Sequence, residues 1–122
     1  MNYQKVKKVE KAWGEEFWLE CGDKYVFKKI IVKHGHRMSW HYHEIKDETW
    51  YVVSGKGIVK IEETTGEIKP GDVIHIPPKT KHTVIATEDI EILEASTTEL
   101  CDSIRIEAGG KLDDSCRDWN QS

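Results

Sequence analysis

The stretch Gly35-His36-Arg37-Met38-Ser39-Trp40-His41-Tyr42-His43-Glu44-Ile45-Lys46-Asp47-Glu48, continued through Thr49-Trp50-Tyr51-Val52-Val53-Ser54 to Gly55, decides how the chain is read. Side chains on a strand alternate in facing, so His41 and His43 share one side of the same strand. Glu48 follows a turn and opens the next apolar run, from which its carboxylate can face back toward the two imidazoles. A second block, Gly71-Asp72-Val73-Ile74-His75-Ile76-Pro77-Pro78-Lys79-Thr80-Lys81-His82, supplies a fourth donor. Its Pro-Gly-Asp turn leads into a strand, Pro77-Pro78 breaks that strand, and His82 starts a neighbouring one. Three imidazoles and one carboxylate suit a single divalent ion of Zn, Mn, Fe, Co or Ni, with coordination positions left for water or substrate. The metal ligands are therefore expected to be His41, His43, Glu48 and His82. His34 and His36 sit in a turn and His75 in a strand of undecided facing, so all three stay outside the set.

Outward from these blocks the chain keeps a strand rhythm. Apolar-rich runs cover Glu16 to Glu20, Tyr25 to Lys33, Met38 to His43, Glu48 to Ser54, Gly57 to Glu62, Asp72 to Ile76, His82 to Ala86, Ile90 to Ser96 and Ser103 to Ile106. Between them lie turn residues such as Cys21-Gly22-Asp23, His34-Gly35, Ser54-Gly55, Thr65-Gly66 and Lys69-Pro70-Gly71-Asp72. Lys28-Ile30-Val32 alternates against Lys29-Ile31-Lys33, and no window holds the i, i+3, i+4, i+7 spacing of an amphipathic helix over three turns. The expected fold class is all-β. Many short strands at even spacing favour a closed barrel or double-sheet roll, which removes exposed edges; a sandwich is the other arrangement compatible with the rhythm.

At 122 residues, with 38% hydrophobic and 33% charged residues, five Trp and four Tyr, the chain has the composition of one folded domain. A net charge of -4, from 22 acidic and 18 basic residues, argues against nucleic acid as a partner. The early lysines Lys5, Lys7, Lys8 and Lys11 read as a solvated strand edge rather than an anion patch. Met1 to Lys11 has no leader-like apolar run and no stretch reaches the ~20 apolar residues of a membrane helix. Cys21, Cys101 and Cys116 form no Cys-x-x-Cys pair and are read as reduced thiols, so a cytoplasmic location without membrane contact is expected. From Ala108 the composition turns to Gly, Asp, Ser and Asn. The expected organisation is a barrel with an N-terminal strand arm over 1–107 and a surface or flexible tail over 108–122.

The spacing Gly-x5-His-x-His-x4-Glu-x6-Gly from Gly35 to Gly55 resembles the first motif of the cupins in full. The second cupin motif is matched at Gly71, Pro77 and His82, with Lys79 in place of its third glycine and Ala86 in place of its asparagine. The resemblance implies a small single-domain cupin, a double-stranded β-helix or jelly-roll barrel. From Val6 to Glu107 the chain is similar to the cupin of type II mannose-6-phosphate isomerases, which are often fused to mannose-1-phosphate guanylyltransferases. The pieces that carry this likeness are Lys11-Ala12-Trp13-Gly14, Phe27-Lys28-Lys29-Ile30, Trp50-Tyr51-Val52-Val53-Ser54-Gly55 and Ile104-Arg105-Ile106-Glu107. Two features differ: His41 stands where that family often has Gln, and Ala108-Gly109-Gly110 replaces its acidic segment.

The implied reaction is aldose–ketose isomerisation of a phosphorylated sugar through a cis-enediol, the metal stabilising the enediolate. Within that reading Arg105 is the candidate phosphate clamp, since guanidinium holds phosphate oxygens bidentately. Lys28 shares the facing of Ile30 and Val32; it either points into the barrel, for proton transfer or substrate contact, or faces solvent. Trp50 shares the facing of Glu48, as pocket wall or as core. Two other classes remain open: an iron-dependent dioxygenase, whose pocket should be more apolar, and a metal- or sugar-binding module without turnover. The resemblance also implies a homodimer, with Val6 to Trp18 exchanged onto a partner barrel.

Overall fold

The computed structural model describes residues 3–112, and every regular element among them is a strand. In chain order these are β1 (Lys7–Lys11), β2 (Gly14–Cys21), β3 (Val26–Val32), β4 (His36–Arg37), β5 (Trp40–His43), β6 (Glu48–Ser54), β7 (Gly57–Ile61), β8 (Thr64–Ile68), β9 (Val73–Ile76), β10 (His82–Ala86), β11 (Ile90–Ser96), β12 (Ser103–Glu107) and β13 (Gly110–Lys111). One sheet of six runs β1-β2-β3-β11-β6-β9; the other runs β12-β5-β10-β4-β13, with β7 beside β10 and β8 beyond it. All pairings are antiparallel. The expected all-β roll is what the chain forms. No helix among the described residues is long and apolar enough to cross a membrane.

The core explains where the site can be. On β3, β11 and β6 the inward positions pair Val32 with Ile90 and Ile30 with Ile92, and Ile92 with Val52; all five are buried. Each such side chain contributes roughly 1.5–3 kcal/mol on burial. Farther along the same strands the inward positions become Lys28 opposite Glu94 and Ser96 opposite Glu48, also buried. One end of the barrel is therefore filled with hydrocarbon, and the other end is lined with charge.

Local backbone chemistry corrects one sequence expectation. The reversal expected at Thr65-Gly66 falls instead at Glu62-Glu63, with Glu62 at φ 52°, and Thr65 and Gly66 lie inside β8 opposite Lys60 and Val59. Gly55 does sit at a reversal: its φ is 85° and an added Cβ would lie 1.9 Å from the Asp89 carbonyl oxygen. Lys79, at the place of the motif's third glycine, adopts φ 64°, a left-handed conformation that costs an L side chain roughly 1–2 kcal/mol. Since Lys79 is exposed, Lys79→Gly is expected to stabilise the fold by about 0.5–1 kcal/mol after the extra entropy of glycine is offset. A denaturant midpoint that rises with an unchanged slope would bear this out; a fall would contradict it.

The amino-terminal segment folds back on its own barrel, β1 pairing with β2. At the other end β13 pairs with β4, so the chain makes one further ladder contact after Ala108. Residues 113–122, the rest of the expected tail and Cys116 among them, lie outside the described residues.

Candidate metal centre

Strand alternation carries His41 and His43 inward on β5, and antiparallel pairing sets His82, the first residue of β10, directly opposite His41. Glu48, the first residue of β6, reaches the same point from the other sheet. Ring centroids lie 4.3 Å apart for His41 and His82, 5.0 Å for His41 and His43, and 5.6 Å for His43 and His82. One nitrogen from each ring falls within 4.8 Å of the others. Oε2 of Glu48 is 3.1 Å from Nε2 of His43 and 3.9 Å from Nε2 of His82. The four residues singled out in the sequence therefore converge, all of them buried.

The chain also orients the rings. Nδ1 of His41 lies 2.8 Å from the Ser39 carbonyl, and Nδ1 of His82 lies 2.8 Å from the Thr80 carbonyl. A carbonyl oxygen only accepts, so each Nδ1 holds the proton and donates it, leaving the Nε2 lone pair free. Burial, followed by the nearby His82, pushes the pKa of His41 down to about 3; burial lowers that of His82 as well. Both rings are thus neutral at ordinary pH, the state in which imidazole ligates. Burial works against ionisation of Glu48, but the adjacent His43 imidazole and the charge of Lys46 outweigh it and hold the carboxyl well below the usual range. Nε2 of His82 and Oε2 of Glu48 are buried with no hydrogen-bond partner. Such orphaned atoms are rare in folded proteins, and a cation between them would satisfy both. This donor set fits a divalent ion.

Around the donors lies a cavity of about 180 Å³ lined by Lys11, Glu16, Lys28, Lys46, Glu94 and Arg105 among others. Lys28 is buried and faces inward, its Nζ 3.3 Å from Oε1 of Glu16 and 4.8 Å from the Trp18 ring centroid. Arg105 stands opposite His41 on the neighbouring strand β12 and is exposed at the cavity mouth. Trp50 is core and cavity wall at once: its Nε1 donates to Oε1 of Glu48 at 2.6 Å and reaches Oε1 of Glu94 at 3.3 Å. His75 stays on the outside, bonded to Asp47 at 2.7 Å. His36 bonds the His34 carbonyl and His34 pairs through its amide with Asp89, both away from the donors.

Four charged residues of the cavity, Lys11, Glu16, Lys46 and Glu94, escaped the sequence reading, which had placed Lys11 on a solvated strand edge. Glu94 continues the inward register of Ile90 and Ile92, and a carboxylate in such a register is a legible signal. Glu16 shares its facing with Trp18 on β2 in the same way. Lys46 lies in the turn between β5 and β6, where no periodicity applies, yet it is buried with Nζ 2.9 Å from Oε2 of Glu94.

Two antiparallel sheets closed around an inward-facing triad of histidines define a β-barrel protein with a potential metal pocket at its polar end. The chain belongs to the cupin domain family, whose model matches residues 14–95. Among its relatives, the mannose-1-phosphate guanylyltransferase of Salmonella muenchen is 32% identical over 110 residues, covering 86% of this chain and 23% of that protein. An uncharacterized protein of Methanocaldococcus jannaschii is 35% identical over 63 residues, 52% of this chain and 50% of that one. The chain thus spans half or less of the length of these relatives. Among solved structures, KdgF from Halomonas sp. superposes with a TM-score of 0.71 at 23% identity, covering 81% of this chain and 90% of that one, which shows the shared fold.

Proposed function

We propose that the protein is a metal-dependent isomerase of a phosphorylated sugar, of the mannose-6-phosphate isomerase kind. The observation that carries this reading is the convergence of His41, His43, Glu48 and His82 beneath a cavity whose wall is ionic, with Lys28 inside it and Arg105 at its mouth. A bound divalent ion would polarise the sugar oxygens and stabilise enediolate charge. His41, His43, Glu48 and His82 would hold it. Arg105, free to swing at the rim, binds the phosphate; the buried Lys28–Glu16 pair, inside the cavity, is placed to move a proton between C2 and C1. The closeness to mannose-1-phosphate guanylyltransferases supports a mannose phosphate as substrate. The ionic wall disfavours the dioxygenase reading, which calls for an apolar pocket. Exposed, unpaired Cys21 and Cys101 support a reducing, cytoplasmic setting.

The test is metal analysis of the purified protein, followed by conversion of mannose 6-phosphate to fructose 6-phosphate with each candidate metal. Chelator-sensitive turnover is expected; a metal-loaded protein without turnover would move the reading to a binding module. With turnover in hand, Arg105→Ala is expected to raise KM by about 10- to 100-fold, the weight of a lost charge-assisted pair, with a smaller change in kcat. An unchanged KM would remove Arg105 from the phosphate site.

A further inference from the structure

His43 ends β5 and Glu48 begins β6, yet the two strands belong to different sheets, and among the described residues no strand pairing joins them. What sets one donor against the other is the irregular turn at 44–47. A second irregular segment, 97–102 between β11 and β12, lies against this turn and takes up its backbone groups in succession. Oδ2 of Asp102 accepts the amide of Ile45 at 2.7 Å and that of Lys46 at 2.8 Å. Oγ1 of Thr97 accepts the amide of Asp47 at 3.0 Å, and the Thr97 amide donates back to the Asp47 carbonyl at 3.0 Å. Three consecutive N–H groups of the turn therefore end on two side chains 50 to 57 positions away.

The ladder explains how Asp102 reaches the turn. Ser103 stands opposite His43 in the β12–β5 register, so Asp102 falls level with the first residue of the turn and its carboxylate overhangs the next two amides. One oxygen shared by two adjacent N–H groups fixes two peptide planes together, and an ionised acceptor makes each bond roughly twice as strong as a neutral one. The Lys46 amide first, and the Ile45 amide next, hold the Asp102 carboxyl below the usual carboxylate range, so it is ionised at neutral pH. With its backbone fixed in this way Lys46 sends its side chain inward, Nζ 2.9 Å from Oε2 of Glu94 and 3.8 Å from Oε2 of Glu48. We propose that Asp102 is a positioning residue of the metal centre: by clamping the Ile45 and Lys46 amides it sets the β5–β6 turn so that His43 and Glu48 face one divalent ion. This rests on the metal site of the reading above and is independent of the sugar. Without the clamp the exposed turn amides bond to water instead, and the turn gains conformations in which the two donors diverge. Apparent affinity then falls by the fraction of molecules that remain competent: a turn correctly set one-tenth of the time raises Kd about tenfold.

The experiment is titration of the full chain with cobalt(II), followed by visible absorption, which reads affinity and coordination geometry together. Circular dichroism at the same temperature establishes that each variant is folded. Asp102→Ala is expected to raise the cobalt Kd by about 10- to 100-fold, the usual weight of groups that orient metal ligands, and to alter the absorption bands of the bound ion. Asp102→Asn keeps an oxygen that accepts both amides and should stay close to the wild type in both. Thr97→Val removes the third acceptor alone and should raise Kd by a smaller factor, about fivefold; it carries the test in the event that Asp102→Ala does not fold. A purely structural role would lower the melting temperature and leave the Kd and spectrum of the folded protein unchanged. A folded Asp102→Ala protein with wild-type Kd overturns the proposal, as does Asp102→Asn binding as weakly as Asp102→Ala, or, with Asp102→Ala unfolded, Thr97→Val binding as tightly as the wild type. A wild type that binds no cobalt sinks the metal site itself and this proposal with it, whereas tight binding by wild type and Asp102→Ala alike sinks this proposal alone.

Discussion

Exchanging His82 for alanine is expected to lower metal affinity by more than about 100-fold and to erase the rise in melting temperature that metal gives the unaltered protein. The removed Nε2 is the most enclosed of the four donors, in a residue with 0% exposure, and it has no other partner to satisfy it. Loss of groups that merely orient a ligand already weakens metal sites by about 10–100-fold, so loss of the ligand itself should exceed that. The substitution also empties space against the Trp50 ring, 5.5 Å away, and against His41, which should cost the metal-free fold roughly 2–4 kcal/mol. The two effects separate experimentally. Metal at 100 times Kd adds about 2.7 kcal/mol to a protein that binds it only when folded, and adds nothing to one that does not bind. Melting curves of both proteins with and without metal read that difference, and direct metal analysis gives the stoichiometry. A His82→Ala protein that keeps one equivalent of metal would remove His82 from the ligand set.

How much of this was legible in the sequence depended on whether local period or tertiary contact decided the matter. His41 and His43 follow from alternation, and Glu48 and His82 follow from motif spacing. The long strands β3, β6 and β11 were readable because their inward positions alternate over several residues. Gly66 misled because glycine marks a reversal only when its backbone needs one; here it lies inside a strand, and the reversal fell to Glu62. The two-residue strands β4 and β13 left no period to read. Lys46 was invisible for a deeper reason. Its burial is created by Glu94, nearly fifty positions away, and no local pattern records a partner that distant.

Replacing Lys46 by methionine is expected to destabilise the metal-free fold by about 3–5 kcal/mol near neutral pH, the usual consequence of removing one partner from a buried ion pair. Methionine approximates the shape, so the loss is electrostatic: Nζ stands 2.9 Å from Oε2 of Glu94 and 3.8 Å from Oε2 of Glu48, and without it two enclosed carboxylates face each other. Burial, and then the charge of Glu48, already lift the pKa of Glu94 above its ordinary value. Taking away the cation lifts it further. A carboxyl whose folded pKa exceeds its unfolded one binds the extra proton when folded, so the variant loses stability as pH rises from the unfolded value through the folded value. Lys46 itself behaves differently in the unaltered protein. Burial opposes its charge, but Glu94 and Glu48 prevail and raise its pKa, so its contribution is fully present below the ordinary lysine value and is lost only as pH climbs through the raised one. Between about pH 5 and about pH 8 the Lys46 contribution is therefore constant, and any pH dependence of the difference between the two proteins comes from the buried groups that Lys46 faces, Glu94 first and His82 with it. Urea midpoints in chelator should show a smaller deficit at the lower pH. A deficit that does not change with pH would mean that Glu94 stays ionised without its partner. The double variant K46M/E94Q removes the nearer of the two carboxylates that Lys46 faces, leaving only Glu48, and should recover part of the loss, because an amide of the same shape can still accept from Trp50.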